Sequence, residues 1–457
     1  HSYTGGWEQF VGGGVSVFDC NNDGRPDVFA AGGESLAALW QNDGDFQFTA
    51  TNFPKNLATT GAYPLDIDGD GNLDLFVMRV GPNQVLQGHG DCTFTDVTED
   101  WGIPTHDQWT TSFTAWWEGD RPTMAIGNYV DRLDPEGPFG TCDSNSILAP
   151  QAQGYTETVL EPGFCALSML AAYDATETLR LRISNDRHYY IKAGQEQMWD
   201  IATKRFLTPE DGWTKLMVWG MGIASRDITG DGRDEIVLTS MGDQLMQLAQ
   251  KDGSYTAAPF AIGTYAHRPH TGEDGRPSTG WHAQFGDIDN DGRDDLFLAK
   301  GNVDQMPGMA MADPNNLLMQ NADGTFTEAA SEAGIATTER SRGAALADFD
   351  GDGRLDLLVS NRRAPIELYR NVTPDAGHWI ALDLRMDGSN TQAVGARVTV
   401  NGQAQQLTVG GGHASGQAGP LHFGLGDAAQ AQVRVTWPDG RVSEVVLPAD
   451  TRQVLRP

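Results

Sequence analysis

The sequence predicts an all-β chain, with a seven-bladed β-propeller over residues 1–375 and a small β domain over residues 376–457. Three observations predict it. An Asp-rich nine-residue loop recurs five times, beginning at Asp19, Asp66, Asp227, Asp287 and Asp348. Each copy runs into a short apolar stretch rich in β-branched or aromatic residues, such as Leu296-Phe297-Leu298, which reads as a buried strand. The unit around each loop repeats one order: small-residue strand, loop, apolar strand, polar strand carrying Asn or Gln with Asp-Gly, then an aromatic-led strand. Four short strands per unit is the pattern of a propeller blade.

In the first unit these parts fall at 12–18, 19–27, 28–31, 37–42 and 46–50. The second runs from Ala62 to Phe94 and ends in a phrase, Phe94 to Ile103, that recurs as Phe326 to Ile335. A strand, a short helical turn and Gly-Ile would carry the chain from an outer strand to the next inner one. The third and fourth units are degenerate. Residues 111–117 and 124–129 flank Glu118-Gly119-Asp120-Arg121-Pro122, which is too short to wrap a cation, and 167–173 and 181–186 flank Asp174 to Leu179. Loop starts at 19, 66, about 117, 174, 227, 287 and 348 are roughly 47 to 61 residues apart, the size of one blade. A closed ring protects strand edges that an open array would expose, and the N-terminal segment is expected to help close the seventh blade. After Pro374 the Asp-rich loops stop, and 379–384, 396–400, 405–409, 433–437 and 442–447 read as alternating strands.

Within each loop, oxygen-bearing residues at positions 1, 3, 5 and 9 with Gly at position 6 suit a hard cation that takes six to eight oxygens. An EF-hand is excluded, because position 12 must then be Glu and here it is Ala30, Val77, Leu238, Leu298 or Val359. Carboxylates gathered in one loop repel; at ~4 Å and an effective dielectric of 20 each pair costs about 4 kcal/mol before screening. Calcium reverses that sign, and a loop that supplies all its own oxygens points to a structural ion.

The formal charge of -31 argues against a nucleic-acid partner, and no run of apolar residues is long enough to span a membrane. The chain begins at His1 rather than Met, which suggests a trimmed chain or a processed precursor whose export signal has been removed. Cys20, Cys92, Cys142 and Cys165 have no CxxC spacing, so two disulfides are expected rather than zinc: Cys142 with Cys165, which bracket a loop, and Cys20 with Cys92 by elimination. Oxidised cysteines and calcium loops of modest affinity both predict a secreted, periplasmic or cell-surface protein.

The loops resemble the FG-GAP or VCBS repeats of integrin-α-like propellers, as in Asp66-Ile67-Asp68-Gly69-Asp70-Gly71-Asn72-Leu73-Asp74. The tail resembles the ASPIC/UnbV domain in Val394-Gly395-Ala396-Arg397-Val398, Gly410-Gly411-Gly412, Leu421 to Gly426 and Trp437-Pro438-Asp439-Gly440. That ordering of modules is similar to proteins of the cartilage acidic protein 1 type and their exported, calcium-binding bacterial relatives. The resemblance implies about five Ca2+ ions, held at positions 1, 3, 5 and 9 and by the position-7 carbonyl. Carried over, the ligands are Asp19, Asn21, Asp23 and Asp27; Asp66, Asp68, Asp70 and Asp74; Asp227, Thr229, Asp231 and Glu235; Asp287, Asp289, Asp291 and Asp295; and Asp348, Asp350, Asp352 and Asp356. Thr229 makes the blade-five site the least regular, and blades three and four are expected to hold no calcium.

Ligand sites in propellers lie where inner strands converge, which draws attention to Trp109, Trp116, Trp219, Met221, Arg226, Trp281, His282 and Arg342. Those side chains could bind an organic or anionic ligand, or pack between blades and pair with loop carboxylates. Asp186 and His188, near Glu196, could form an acid and base pair or a blade connector. His267, His270 and His282 could hold a transition metal, though not with helical spacing, and a His1 terminus could chelate copper. No nucleophile elbow, phosphate loop or His-Glu-x-x-His motif occurs. Two readings follow. One is a calcium-stabilised binding or adhesion module for an extracellular protein, glycan or small molecule. The other is a calcium-dependent hydrolase, lyase or isomerase/cyclase whose weakly marked catalytic residues would come from His282, Asp186, His188 and Arg342.

Overall fold

The computed structural model describes residues 1–135, 140–186, 193–265 and 274–457. Within them the first 369 residues form seven consecutive antiparallel sheets, and each sheet is one blade. Blade one contains Val15–Phe18, Asp27–Ala30, Ala38–Gly44 and Gln47–Ala50; blades two to six repeat four strands, and blade seven has Ser341–Ala347, Asp356–Asn361 and Glu367–Tyr369. The two innermost strands are buried on both faces, which is why they read as continuous apolar runs, whereas the outermost strand, such as Gln47–Ala50, is largely exposed.

Each blade can bury its faces only against its neighbours, and every neighbouring pair has its own apolar cluster. Val17 and Val28 of blade one pack with Ala345, Phe349 and Leu358 of blade seven, which closes the ring. Phe18, Phe29 and Leu39 meet Leu75 and Leu86 of blade two, and Tyr63 and Phe76 meet Phe113 and Met124 of blade three. The series continues around the ring to Phe297 and Leu317 of blade six against Leu346 and Leu357 of blade seven. The N-terminal segment adds a seam: Tyr3 bridges Arg362 of blade seven, and Thr4 bridges Gly33 of blade one.

The recurring phrase between blades is a helical turn. Ile103 N–H donates to Thr98 O and Ile335 N–H to Ala330 O, each after a glycine in the left-handed region, Gly102 at φ 59° and Gly334 at φ 74°. Both disulfides expected from the sequence are present, Cys20–Cys92 and Cys142–Cys165.

The tail is a pair of sheets. His378–Leu384 lies between Leu421–Gly426 and Thr451–Leu455, and the second sheet runs Gln403–Gln406, Arg397–Val400, Gln430–Thr436, Val442–Pro448. Ile380, Leu382, Val398, Phe423, Val433 and Trp437 fill the space between them. The strand expected at 405–409 ends at Gln406 instead, because the chain beyond it leaves the tail and enters the propeller.

Candidate functional site: metal loops, channel plug and upper pocket

The five Asp-rich loops share one hydrogen-bond scheme. The position-1 carboxylate accepts backbone N–H groups from within the loop: Asp287 takes Asp291 N at 3.0 Å and Gly292 N at 2.7 Å, Asp19, Asp227 and Asp348 take the equivalent pair in theirs, and Asp66 takes Gly69 N and Gly71 N. The position-9 carboxylate joins its own loop to the third strand. Asp295 accepts from Ile288 N and Gln320 N; Asp27, Asp74, Glu235 and Asp356 take the equivalent pairs. Position 4, which the sequence reading passed over, is Asn or Gly in every copy because its backbone is left-handed: Asn22, Gly69, Gly230, Asn290 and Gly351 all lie between φ 57° and 77°.

This scheme packs acid into a space with too little counter-charge. Burial, then the neighbouring Asp294 and Asp295, pushes Asp287 up to about 9. Burial likewise raises Asp295 and Asp74 to about 8, Glu235 and Asp356 to about 7, and Asp27 to about 6. Carboxylate oxygens of Asp66, Asp68 and Asp70, of Asp287, Asp289 and Asp291, and of Asp348, Asp350 and Asp356 come within 4.8 Å of one another. Loops one and five form no such acidic trio because their third position is Asn21 or Thr229. The position-5 carboxylates are partly paired already, Asp23 with Arg25, Asp231 with Arg233, Asp291 with Arg293 and Asp352 with Arg354. Cys20 and Cys92 beside Asp27 are disulfide sulfurs, so that corner offers no thiolate. An all-oxygen set of converging carboxylates fits Ca2+ and does not fit zinc or copper. In blade four Asp174 pairs with Arg180 at 3.1 Å instead.

The loops also join the blades. In four of the five the position-2 carbonyl accepts from the next blade: Phe349 O from Asn42 Nδ2, Ile228 O from Gln320 Nε2, Ile288 O from Asn371 Nδ2, and Cys20 O from Cys92 N. This gives the recurrent Asn or Gln of the third strand its task, and between blades one and two the disulfide stands in its place. The tail rests on the same loops. Thr391 donates to Asp66, Gly377 N to Asp289 O, Gly426 N to Asn290 O and Arg452 to Gly24 O, while Trp379 covers Gly353.

Residues 409–418 of the tail enter the ring from the end that carries the Asp-rich loops and block the central channel. Thr114 Oγ1 of blade three donates to Val409 O, Gly411 N bonds Met169 O of blade four at 2.7 Å, and Gly412 N bonds Ile223 O of blade five at 2.7 Å. His413 N donates to His282 Nδ1 of blade six at 3.1 Å, and Gly12 N donates to His413 Nε2 at 3.2 Å. Tyr63 OH reaches Gly411 O from blade two, and Gly416–Ala418 leaves as a parallel strand beside Val15–Phe18 of blade one. Glycine is required along this path. Side chains at Gly410, Gly411 and Gly412 would press on Met169 O, Ile223 O and the His282 ring, and all three have positive φ.

The plug leaves a cavity of about 480 Å³ on the tail side, where Arg226, His282, Gln284, Gln406, Gln417 and Arg452 meet. On the opposite side is a pocket of about 530 Å³ bounded by Trp7, Phe10, Tyr129, Met221, Met241 and Trp281. The sequence-selected residues therefore divide. Trp281 and Met221 line the upper pocket, Trp109 is buried beside it, and Trp116 packs between blades three and four. Asp186 lines the upper pocket and accepts the Tyr129 hydroxyl at 2.5 Å. His282 is held under the plug. Arg342 is fully buried, donates to Phe10 O, Ser341 O, Asn302 O and Val303 O, and lies 4.0 Å from the Trp281 ring centroid. Glu196 is buried and accepts Asn185 N. His188, His267 and His270 fall outside the described residues. His1 Nε2 bonds Ala31 O at 2.8 Å, and its ring stands edge-on to Trp40. The plug and the left-handed fourth loop position were missed; only the Gly410-Gly411-Gly412 run could have signalled the first.

Comparison with known proteins matches residues 386–456 to the ASPIC and UnbV family and residues 19–77, 227–298 and 300–359 to the FG-GAP-like repeat. The chain joins FG-GAP-like repeats to an ASPIC and UnbV domain. Curated relatives of this FG-GAP and ASPIC/UnbV protein include cartilage acidic protein 1 of Mus musculus and of Homo sapiens, each 33% identical over 125 residues, which is 25% of this chain and 19% of theirs. The Xenopus tropicalis protein of that name is 32% identical over 111 residues, 22% of this chain and 17% of its own. The match thus spans less than a fifth of the relatives' length, which stands at 17% to 19%. Among solved structures, BBS1N in complex with ARL6DN aligns at a TM-score of 0.49 and 9% identity, covering 80% of this chain and 94% of that one. An Agrocybe aegerita lectin that recognises non-reducing terminal N-acetylglucosamine aligns at 0.44 and 14%, covering 79% and 94%. No helix among the described residues is long and apolar enough to cross a membrane.

The buried plug histidines give a pH prediction. Burial lowers His282 to about 4, and burial with the Arg342 and His282 charges lowers His413 to about 3, from 6.5 for each. Because the folded values are depressed, their neutral forms support the fold above pH ~6.5, and that support is lost as pH falls toward 4. In excess calcium, which keeps the loop carboxylates charged, the melting midpoint is expected to drop across that window, and a His413→Gln chain to drop less. A melting profile flat from pH 7 to 4, or one identical in both chains, would count against it.

Proposed function

We propose that this protein is a secreted calcium-binding β-propeller that serves as a binding or adhesion module, with Ca2+ in the loops of blades one, two, five, six and seven stabilising the fold. The observation that carries the reading is the repeated convergence of buried carboxylates on one point within a loop, with Asp287, Asp289 and Asp291 the clearest case. The residues at positions 1, 3, 5 and 9 would hold the ion. Bound calcium supplies the positive charge that lets these carboxylates stay ionised where water is scarce. Two disulfides support an oxidising compartment, where calcium is plentiful. The partner would be an extracellular protein, a glycan or a small molecule.

Elemental analysis of protein desalted into chelator-treated buffer is expected to find about five calcium ions per chain. A double variant, Asp287→Asn with Asp289→Asn, should lose one equivalent and keep the rest. Calcium no higher than in the buffer blank would end the reading. A second reading, a calcium-dependent enzyme at the channel mouth, is favoured by one feature, the Asp186 carboxyl with its Tyr129 partner on the wall of an apolar pocket.

A further inference from the structure

We propose that the cavity on the tail side of the plug binds one small neutral sugar, which Arg226 and Gln405 hold through its hydroxyl groups. This rests on the binding-module reading and names its ligand class. About 480 Å³ is the space of a small ligand, and the cavity opens to solvent where Gln417 and Gly419 are exposed. Its walls carry polar groups that the protein leaves without partners. Arg226 makes no hydrogen bond among the described residues: its Nε is buried without an acceptor, and Asp294 Oδ2, 3.5 Å away, balances its charge only. Gln405 is 4% exposed and donates Nε2 to His422 O at 2.7 Å, which fixes the amide and leaves Oε1 an acceptor with no donor among the described residues. His413 N donates to His282 Nδ1, so the neutral His282 ring carries its proton on Nε2, which has no acceptor; the Gln284 amide beside it is turned to Leu346 N and Gln417 Oε1. His422 is the reverse case: Nε2 donates to Gly353 O at 3.0 Å, and Nδ1 is an acceptor without a donor. Unmet donors and unmet acceptors around one cavity suit a ligand whose groups serve as both, and hydroxyls do. Phe285, Leu346 and Trp379 supply apolar surface for the C–H face of a sugar ring.

The charges select against ions of either sign. An anion at Arg226 would meet Asp294 and also Asp234, a buried carboxyl that the same guanidinium stabilises. A cation would meet Arg226, and Arg25 and Arg452 at the mouth, which are themselves committed to Asp23 and Asp383. A neutral body rich in hydroxyls matches what is left.

The test uses the full calcium-loaded chain and saturation-transfer difference NMR with glucose, galactose, mannose, maltose and lactose, and with glucuronate and glucosamine as charged counterparts. At least one neutral sugar is expected to show saturable transfer, and glucuronate and glucosamine should bind at least about tenfold more weakly. Arg226→Lys keeps a positive charge beside Asp294 and loses the fork of donors. Gly419→Trp, at a position with nothing within 4 Å, puts an indole across the mouth. Each should weaken the sugar by about tenfold or more. Circular dichroism and calcium content certify that each variant is folded. The proposal is overturned if no neutral sugar binds calcium-loaded wild type, if either folded variant binds as tightly as wild type, or if a charged sugar binds equally well. Because calcium is measured on the same sample, a calcium-replete protein that ignores every sugar refutes the ligand and leaves the calcium reading standing, and a calcium-free protein that binds one does the reverse.

Discussion

In excess EGTA the melting midpoint is expected to fall by roughly 10 °C or more, and to recover on adding calcium but not an equal concentration of magnesium. A site held at a hundred times its Kd contributes about 2.7 kcal/mol. Five such sites together outweigh the roughly 1 kcal/mol per degree that a chain of this length presents near its midpoint. Magnesium is expected to fail in this role because it demands near-ideal octahedral geometry and gives up its water reluctantly, whereas these loops offer a crowded set of carboxylates. The loss should be cooperative. In four of the five loops the second carbonyl holds the next blade, through Asn42, Gln320, Asn371 or the Cys20–Cys92 corner, and Asp66, Asp289, Asn290 and Gly24 carry the tail. Relaxing the loops therefore loosens the ring and the tail's seat together, and one steep transition should move rather than split. Superimposable melting curves with EGTA and with calcium would remove the structural role of the ion.

Those contacts also explain how far the sequence could be read. Blades were legible because local chemistry repeats: the loop glycines Gly24, Gly71, Gly232, Gly292 and Gly353 occupy positive φ, and the strands after them are buried on both faces and hence uniformly apolar. Even degenerate blades three and four kept their inner strands, Thr110–Trp117 and Ala166–Tyr173, because packing between neighbours demands them whether or not a loop carries carboxylates. The site was less legible. Trp281 and His282 are adjacent in sequence and point to opposite sides of the plug, one into the apolar pocket and the other toward the tail. Alternation along a strand predicts that they diverge but not what each faces. What each faces is decided by residues 409–418, which come from another part of the chain and bond to inner strands that are already buried. Such long-range insertion leaves no periodicity, only a run of glycines.

Replacing Gly61 or Gly14 with Val is expected to expel the plug. A Cβ at Gly61 would sit 1.9 Å from Ala414 O, and one at Gly14 would sit 1.7 Å from the same oxygen. Neither glycine has positive φ, so the backbone itself accepts a side chain, and Val suits a strand. The three atoms nearest the new Cβ at each position all belong to Ala414 of the plug. The obstructing atom is a backbone carbonyl held between blades, so it cannot turn aside as a flexible side chain would. The cost should exceed the about 1–3 kcal/mol typical of overpacking. Once the segment is displaced, its bonds to Met169 O, Ile223 O and His282 are forfeited, and the tail keeps its seat on the Asp-rich loops and the Gln406 bonds to Tyr173 of blade four. Both variants should melt well below wild type and expose residues 407–420 to limited proteolysis while calcium content stays near normal. Gly119→Ala, at an open position with nothing within 4 Å, should behave as wild type. Wild-type melting and protease resistance in both Val variants would mean that the channel does not hold this segment in solution, and the floor of the upper pocket would then have to be built from other residues.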